Sequence, residues 1–176
     1  MTFAEVDDLG KITVNDAYID LHIDEVLDLE LVDVDAIKDA KFKVVVDGVN
    51  STGGIAIPRL LDRLGVIPVE LYCEPNGEFP HNPEPLKEHL GDICELVVKE
   101  KADFGIVVDP DVDRLAFIDE TGEMFGEEYT LVACADYVLS ETKGNTVSNL
   151  SSSRALRDIT RKHLSLIHIS EPTRPY

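Results

Sequence analysis

Three aspartates at alternate positions, followed at once by an arginine, are the residues whose types and spacing best suit chemistry. They are Asp109, Asp111, Asp113 and Arg114. In a loop that curls, such side chains can converge on one point, and their charges repel one another unless a cation lies between them. Because the ligands are all oxygens, the cation should be hard, with Mg²⁺ preferred to Ca²⁺ or Mn²⁺. Arg114 adds a planar, permanently charged group that suits a phosphate beside the metal.

The acidic loop is predicted to lie between two strands. Phe104 to Val108 form a short, continuous apolar run that is typical of a buried strand. Leu115 to Ile118 form a second apolar run, which ends at the turn signal of residues 119–122. If the first strand is parallel to its neighbours, the loop lies where open α/β sheets bind their ligands, at the carboxyl end of a parallel strand.

The preceding segments alternate between strand and helix patterns, which predicts an α/β fold. Strands are predicted over residues 43–47 and 67–73, and helices over residues 55–64 and 86–100. Pro58 is expected to bend or delay the first of these helices. The order predicts a three-layer α/β/α domain with a small mixed, mostly parallel sheet whose last strand turns back as a hairpin. The glycine-rich turn after residue 47 contains no nucleotide-binding motif and is interpreted as a tight strand-to-helix turn.

Shorter patterns flank this domain. Upstream, a short strand is predicted at Ile12 and Val14, and Asn15 or Asp16 is expected to cap a following helix. Downstream, a helix over residues 129–139, a strand over 146–150 and a helix over 153–163 predict a partial second α/β unit.

The strongly acidic composition limits the possible partners. A net charge of −19 argues against nucleic acid or an anionic membrane surface, because both require basic patches. Cys73, Cys94 and Cys134 are far apart and lack Cys-x-x-Cys spacing, so reduced thiols in a cytoplasmic protein are expected. No run reaches the ~18 apolar residues of a membrane helix, and the N-terminus does not resemble a signal peptide.

Three other interpretations of the acidic loop are weighed. In a chain this acidic, the loop could be solvated surface, although the preceding strand and the following arginine disfavour that. An EF-hand would use the three aspartates and Glu120, but its sharp turn needs a glycine where Arg114 stands. A haloacid-dehalogenase phosphotransferase also places Asp-x-Asp after a buried strand. It needs a downstream lysine and an acidic pair, and no such pair follows Lys143.

The loop Asp109-Pro110-Asp111-Val112-Asp113-Arg114 resembles the metal-binding loop of the phosphohexomutases (phosphoglucomutase and phosphomannomutase), usually written Asp-Gly-Asp-x-Asp-Arg. Pro110 departs from that pattern, while all three carboxylates and the arginine are kept. The resemblance spans most of residues 12–163, and the loop is its most specific part. It implies an enzyme that uses Mg²⁺ and moves a phosphoryl group between the C1 and C6 positions of a hexose phosphate.

The resemblance also implies roles for single residues. Asp109, Asp111 and Asp113 would hold Mg²⁺ together with a phosphoserine oxygen, and Arg114 would stabilise phosphate charge. The family's phosphoserine lies in a Ser-His-Asn-Pro motif, whereas Pro80 precedes the histidine here, so that role is not transferred. His81 is expected to form hydrogen bonds in its loop, and the chain is expected to be inactive alone. A self-standing acidic module that binds Mg²⁺ or Ca²⁺ without catalysis is the alternative.

The resemblance divides the chain into four segments. Residues 1–40 would be the end of the first domain and a linker, residues 41–122 the second, metal-binding domain, and residues 123–163 the start of the third. The first, third and fourth domains would otherwise be missing. Residues 164–176 resemble a translated sequencing-library adapter and are expected to be a non-native tail outside the fold.

Overall fold

Short runs of β-branched and apolar residues form a four-stranded sheet. The computed structural model of the chain describes residues 3–5, 7, 10–126, 129–150 and 152–170. The strands of the sheet are β1 (Lys43–Asp47), β2 (Ile67–Leu71), β3 (Phe104–Val108) and β4 (Leu115–Asp119). Their order is β2-β1-β3-β4, with β1 parallel to β2 and β3, and β4 antiparallel to β3. The predicted mixed, mostly parallel sheet with a final hairpin is therefore confirmed.

Helices cover both faces of this sheet. They are α2 (Val34–Ala40), α3 (Gly53–Arg63) and α4 (Gly91–Glu100). Val45 packs in one cluster with Ile93 of α4, whereas Val44 and Val46 pack in another with Leu61 of α3. Because successive side chains of a strand point to opposite faces, β1 joins two helix layers. This arrangement confirms the three-layer α/β/α domain.

The turn between β1 and α3 is tight. A Cβ on Gly48 would lie 2.5 Å from the backbone nitrogen of Gly54, and a Cβ on Gly54 would lie 2.6 Å from Cα of Cys73. The glycines therefore serve close backbone approach, in agreement with the interpretation as a strand-to-helix turn. The expected delay of the helix at Pro58 is wrong, because α3 begins at Gly53 and continues through the proline. Pro58 removes only the N–H that would bond one turn back.

Residues 1–32 form a compact unit distinct from residues 33–176. The unit contains helix α1 (Tyr18–Leu27). The predicted cap is wrong, because Oδ1 of Asn15 accepts the N–H of Ala17 at 2.9 Å, ahead of the helix. The predicted strand at Ile12 and Val14 is also wrong, since neither residue is in a strand.

The downstream residues form a smaller α/β unit. Its elements are α5 (Tyr129–Glu141), β5 (Thr146–Asn149), α6 (Ala155–Lys162) and β6 (Ile167–Ser170), and β5 pairs with β6 in parallel. The expectation that residues 164–176 lie outside the fold is therefore wrong for β6, while residues 171–176 lie outside the described residues. The domain boundaries and the non-native origin of the tail stay predictions. Within the described part of the chain, every helix is too short or too polar to cross a membrane.

Replacing Gly54 by alanine should destabilise the sheet domain, because the new methyl group would lie 2.6 Å from the backbone of Cys73. We expect the free energy of unfolding to fall by about 1–3 kcal/mol, the usual cost of overpacking. Gly91→Ala is the matched control, since nothing lies within 4 Å of a Cβ there and alanine suits a helix. Urea unfolding measures both variants, and equal midpoints would contradict this packing.

Candidate metal and phosphate site

The carboxylate of Asp109 shapes the acidic loop. Asp109 follows β3 directly and is 7% exposed. Its Oδ1 accepts hydrogen bonds from the backbone N–H groups of Asp113 and Arg114, both at 3.0 Å. Val112, which donates its N–H to the carbonyl oxygen of Asp109, has a φ of 60°. The chain therefore curls around one oxygen of Asp109 before it enters β4.

This curl brings the three predicted metal ligands together. One carboxylate oxygen from each of Asp109, Asp111 and Asp113 lies within 4.8 Å of the other two. Asp109 is buried, whereas Asp111 and Asp113 are exposed. Because hard cations bind carboxylate oxygens at about 2.0–2.6 Å, oxygens at this spacing could share one divalent cation.

The charges of these carboxylates affect one another. Burial raises the pKa of Asp109, but the backbone N–H of Arg114 and further hydrogen bonds outweigh burial and hold the pKa below its usual value. The pKa of Asp113 is raised, because its carboxyl group shares a hydrogen bond with Asp109 and faces the charges of Asp111 and Asp109. The neighbouring carboxylates therefore oppose ionisation of Asp113, and a cation at the triad could neutralise the same charges.

Arg114 lies beside the triad, between two carboxylates. Its Nη1 donates to Oε1 of Glu84, and its Nε is 3.9 Å from Oδ2 of Asp109. The arginine side chain is 54% exposed. A depression of about 310 Å³ is lined by Asn82, Pro83, Glu84, Asp109, Pro110 and Arg114. A phosphate-sized anion can therefore reach the guanidinium from solvent.

Two loops that the sequence analysis did not connect with the site hold it in place. Ser51 Oγ and Thr52 Oγ1, in the turn after β1, each donate to the carbonyl oxygen of Pro110 at 2.9 Å. Glu84 belongs to the proline-rich loop after β2. Ser51 and Thr52 lie 59 and 58 positions before their partner Pro110 in the sequence. Glu84 lies 30 positions before its partner Arg114. The sequence pattern of a turn or of a proline-rich loop does not indicate a hydrogen-bond partner so far along the chain.

His81 forms hydrogen bonds from its loop, as predicted. Its Nε2 is 2.9 Å from Oδ2 of Asp47, and its Nδ1 is 2.8 Å from the carbonyl oxygen of Asn82. Burial raises the pKa of Asp47, against the lowering effects of the Val49 N–H and of His81. The sequence analysis missed Asp47, because its position at the end of a strand gives no sign of a distant partner.

The structure argues against the EF-hand interpretation of the acidic loop. A strand, β3, leads into the loop where an EF-hand has a helix, and Glu120 lies beyond β4, so the loop is not an EF-hand.

The fold and the loop together define a class of α/β domains with a carboxylate cluster at the carboxyl end of a parallel strand. The family model described as "Phosphoglucomutase/phosphomannomutase, alpha/beta/alpha domain II" matches residues 18–122. The chain therefore belongs to the phosphoglucomutase/phosphomannomutase family, as the resemblance of the loop predicted.

Individual relatives agree with this assignment. A phosphoglucomutase/phosphomannomutase from Thermococcus kodakarensis is 41% identical over 134 residues, which are 75% of this chain and 29% of that protein. A probable phosphoglucosamine mutase from Methanopyrus kandleri is 29% identical and covers 89% of this chain and 34% of that protein. The crystal structure of a phosphoglucomutase/phosphomannomutase family protein from Burkholderia thailandensis, 26% identical, superposes with a TM-score of 0.70 over 85% of this chain and 33% of that chain. The chain thus spans about a third of the length of the relatives it matches.

Asp111→Asn should weaken metal binding and leave the metal-free fold equally or slightly more stable. Asp111 is exposed and its charge faces Asp113, so the substitution relieves repulsion.

Asp109→Asn should lower metal affinity and metal-free stability together, because two charge-assisted hydrogen bonds to backbone N–H groups become neutral, at a cost of about 1 kcal/mol. Thermal unfolding with and without MgCl₂ compares the two variants. A sharply lower metal-free melting temperature for Asp111→Asn would show that Asp111 supports the fold.

Proposed function

We propose that this chain is the metal-binding part of a Mg²⁺-dependent phosphohexomutase. The full-length enzyme would interconvert hexose 1-phosphate and hexose 6-phosphate through a phosphoserine. The observation that carries the proposal is the convergence of Asp109, Asp111 and Asp113 within 4.8 Å of one another, with Arg114 alongside. Oxygen-only ligands favour a hard cation, and membership of the family supports the reaction class.

The chain's own residues would position charge and form no covalent bond. Asp109, Asp111 and Asp113 would hold Mg²⁺, which when bound neutralises charge on the transferring phosphoryl group. Arg114 would bind phosphate oxygens through the N–H groups that Glu84 does not occupy. Asp109 keeps the loop curled, so that the triad and Arg114 are close to the same depression.

Turnover would need a nucleophile that this chain does not provide. Pro80 occupies the position before His81-Asn82-Pro83 where the family motif has its phosphorylated serine. We therefore assign the hexose phosphate substrate and the complete active site to the full-length protein. We further propose that this protein is cytoplasmic and has neither nucleic acid nor a membrane as its partner. The names of the relatives, which include phosphoglucomutase, phosphomannomutase and phosphoglucosamine mutase, support hexose phosphates as the substrate class.

A second candidate function is cation binding without catalysis. The exposure of Asp111 and Asp113 favours this alternative, because a cation held mainly by exposed carboxylates could bind without any sugar phosphate. Ion preference separates the two candidates, since a flexible, open carboxylate loop suits Ca²⁺ better than Mg²⁺.

The chain should bind Mg²⁺ with a dissociation constant of about 1 mM, or about −4 kcal/mol. Three carboxylates leave several coordination positions to water, and Mg²⁺ loses its water shell reluctantly. Isothermal titration calorimetry with MgCl₂ and CaCl₂ measures both affinities, with Asp111→Asn as the control for specific binding. Micromolar Mg²⁺ binding or a strong preference for Ca²⁺ would favour the non-catalytic module.

The chain by itself should not interconvert glucose 1-phosphate and glucose 6-phosphate, even when Mg²⁺ and a hexose bisphosphate are added as activators. Charge stabilisation by the loop cannot replace the missing covalent phosphoenzyme. A coupled assay that detects glucose 6-phosphate measures turnover, and Asp109→Asn is the control. Activity that this substitution abolishes would overturn the assignment of an incomplete enzyme, whereas activity that it leaves unchanged would come from a contaminant.

A further inference from the structure

Asp47 and His81 form a nearly buried pair to which the proposed phosphate chemistry assigns no role. The Asp47 side chain is 1% exposed and that of His81 is 13% exposed. Oδ2 of Asp47 is 2.9 Å from Nε2 of His81, while Oδ1 accepts the N–H of Val49 at 3.0 Å. The other ring nitrogen, Nδ1, is 2.8 Å from the carbonyl oxygen of Asn82. Both nitrogens of His81 therefore face oxygen atoms.

These oxygens determine how many protons the pair must hold. A carbonyl oxygen only accepts hydrogen bonds, so Nδ1 of His81 must carry a proton. A neutral imidazole then has no proton left for Nε2, whose lone pair would face the Asp47 carboxylate. One further proton is needed, either on Nε2 or on the carboxyl group. Burial, which raises the pKa of Asp47, favours keeping this proton in the pair.

The pair lies at the start of a path of hydrogen bonds that ends at Arg114. His81 is bonded to the carbonyl oxygen of Asn82, and the side-chain oxygen of Asn82 accepts the N–H of Glu84 at 3.1 Å. The carboxylate of Glu84 accepts a hydrogen bond from Arg114. A change at the pair can therefore reach the guanidinium through adjacent loop residues.

Two titratable neighbours of Asp47, Cys73 and Tyr72, keep their protons in mildly alkaline solution, and burial raises the pKa of the Cys73 thiol to about 11. The Tyr72 ring lies 5.8 Å from that of His81, and its hydroxyl donates to Oδ2 of Asp92 at 2.6 Å. This bond raises the pKa of Tyr72 to about 12, so the tyrosine keeps its proton in mildly alkaline solution. The nearby charge of Asp92 acts with burial to raise the pKa of Asp47.

We propose that Asp47 and His81 are positioning residues of the phosphate site, and that one proton held between them keeps residues 81–84 in place and Arg114 directed at the depression. The inference rests on the proposed function, because it names the residues that position the proposed phosphate ligand. When the proton passes to a base in solution, the Nε2 lone pair faces the carboxylate at 2.9 Å. The resulting repulsion releases the loop, and Glu84 no longer restrains Arg114. The site is therefore ordered at lower pH and loosens as the pH rises.

Nuclear magnetic resonance of the whole chain tests the shared proton directly. At about pH 6, the ring-nitrogen shifts of His81 should show two protons, or the carboxyl shift of Asp47 should show a protonated acid. As the pH rises, the amide signal of Glu84 and the Nε–H signal of Arg114 should shift in the same step as the pair. A neutral His81 beside an ionised Asp47 in the acidic sample overturns the proposal, as do Glu84 and Arg114 signals that do not follow the pair.

Sulfate, which stays a dianion over this pH range, is the probe for anion binding at Arg114 in the presence of MgCl₂. Wild-type affinity should fall about fivefold from mildly acidic to mildly alkaline pH, because Arg114, once no longer directed at the depression, loses its partly exposed ion pair with the sulfate. Asp47→Asn should remove this pH dependence, because its amide can donate to a neutral His81 while its oxygen still accepts from Val49. His81→Ala should bind sulfate as weakly in acidic solution as the wild type does in alkaline solution.

Asp136→Asn is the matched control. Asp136 of α5 forms a second Asp–His pair, with Nε2 of His163 at 2.5 Å, in the smaller α/β unit. This variant should keep the wild-type pH profile. A wild-type profile for Asp47→Asn would overturn the positioning role. If neither the wild type nor any variant binds sulfate, the proposed phosphate function fails, whereas the magnetic resonance signals of Glu84 and Arg114 still decide the positioning role.

Discussion

The candidate site depends on the two hydrogen bonds that Oδ1 of Asp109 accepts from the backbone N–H groups of Asp113 and Arg114. Three carboxylates in a short loop would otherwise move apart, because their like charges repel one another. Asp109 is buried where β3 ends, so the packing of the sheet fixes the oxygen around which the loop curls. The convergence of the three candidate ligands is thus a consequence of one buried side chain that accepts hydrogen bonds from the backbone of its own loop.

The sheet order explains why loops that are distant in sequence meet at this place. β1 and β3 are parallel neighbours, with Asp47 in register with Val107, so the segments that follow them leave the sheet at the same edge. The turn after β1 then reaches the carbonyl oxygen of Pro110, and the loop after β2 reaches Arg114 through Glu84. Three loops at the carboxyl ends of parallel strands form one surface, which is where open α/β sheets bind their ligands.

Electrostatics make anion binding at this surface conditional. The chain carries a net charge of −19, so a phosphate ester is repelled at long range. Arg114 is the basic residue among those that line the depression in the described part of the chain, and Glu84 already pairs with it. An anion must therefore bind the N–H groups of Arg114 that Glu84 leaves unoccupied, next to three further carboxylates. A bound cation would reverse this balance, which is consistent with the proposed metal-dependent phosphoryl transfer.

The metal loop and the layers around it were predictable from the sequence, because the signals for both are local. Alternate spacing after an apolar run is enough to mark Asp109, Asp111 and Asp113 as candidate ligands, and alternating strand and helix patterns are enough to predict a mostly parallel sheet. The pairing of β6 with β5 was not predicted, because a short apolar strand can add to a strand edge whatever its origin. The residues that hold the loop and Arg114 likewise act through contacts across 30 to 59 positions. The sequence by itself determined the candidate metal ligands and the fold class. Only the tertiary structure decided which distant side chains support them, because no local pattern selects a partner so far along the chain.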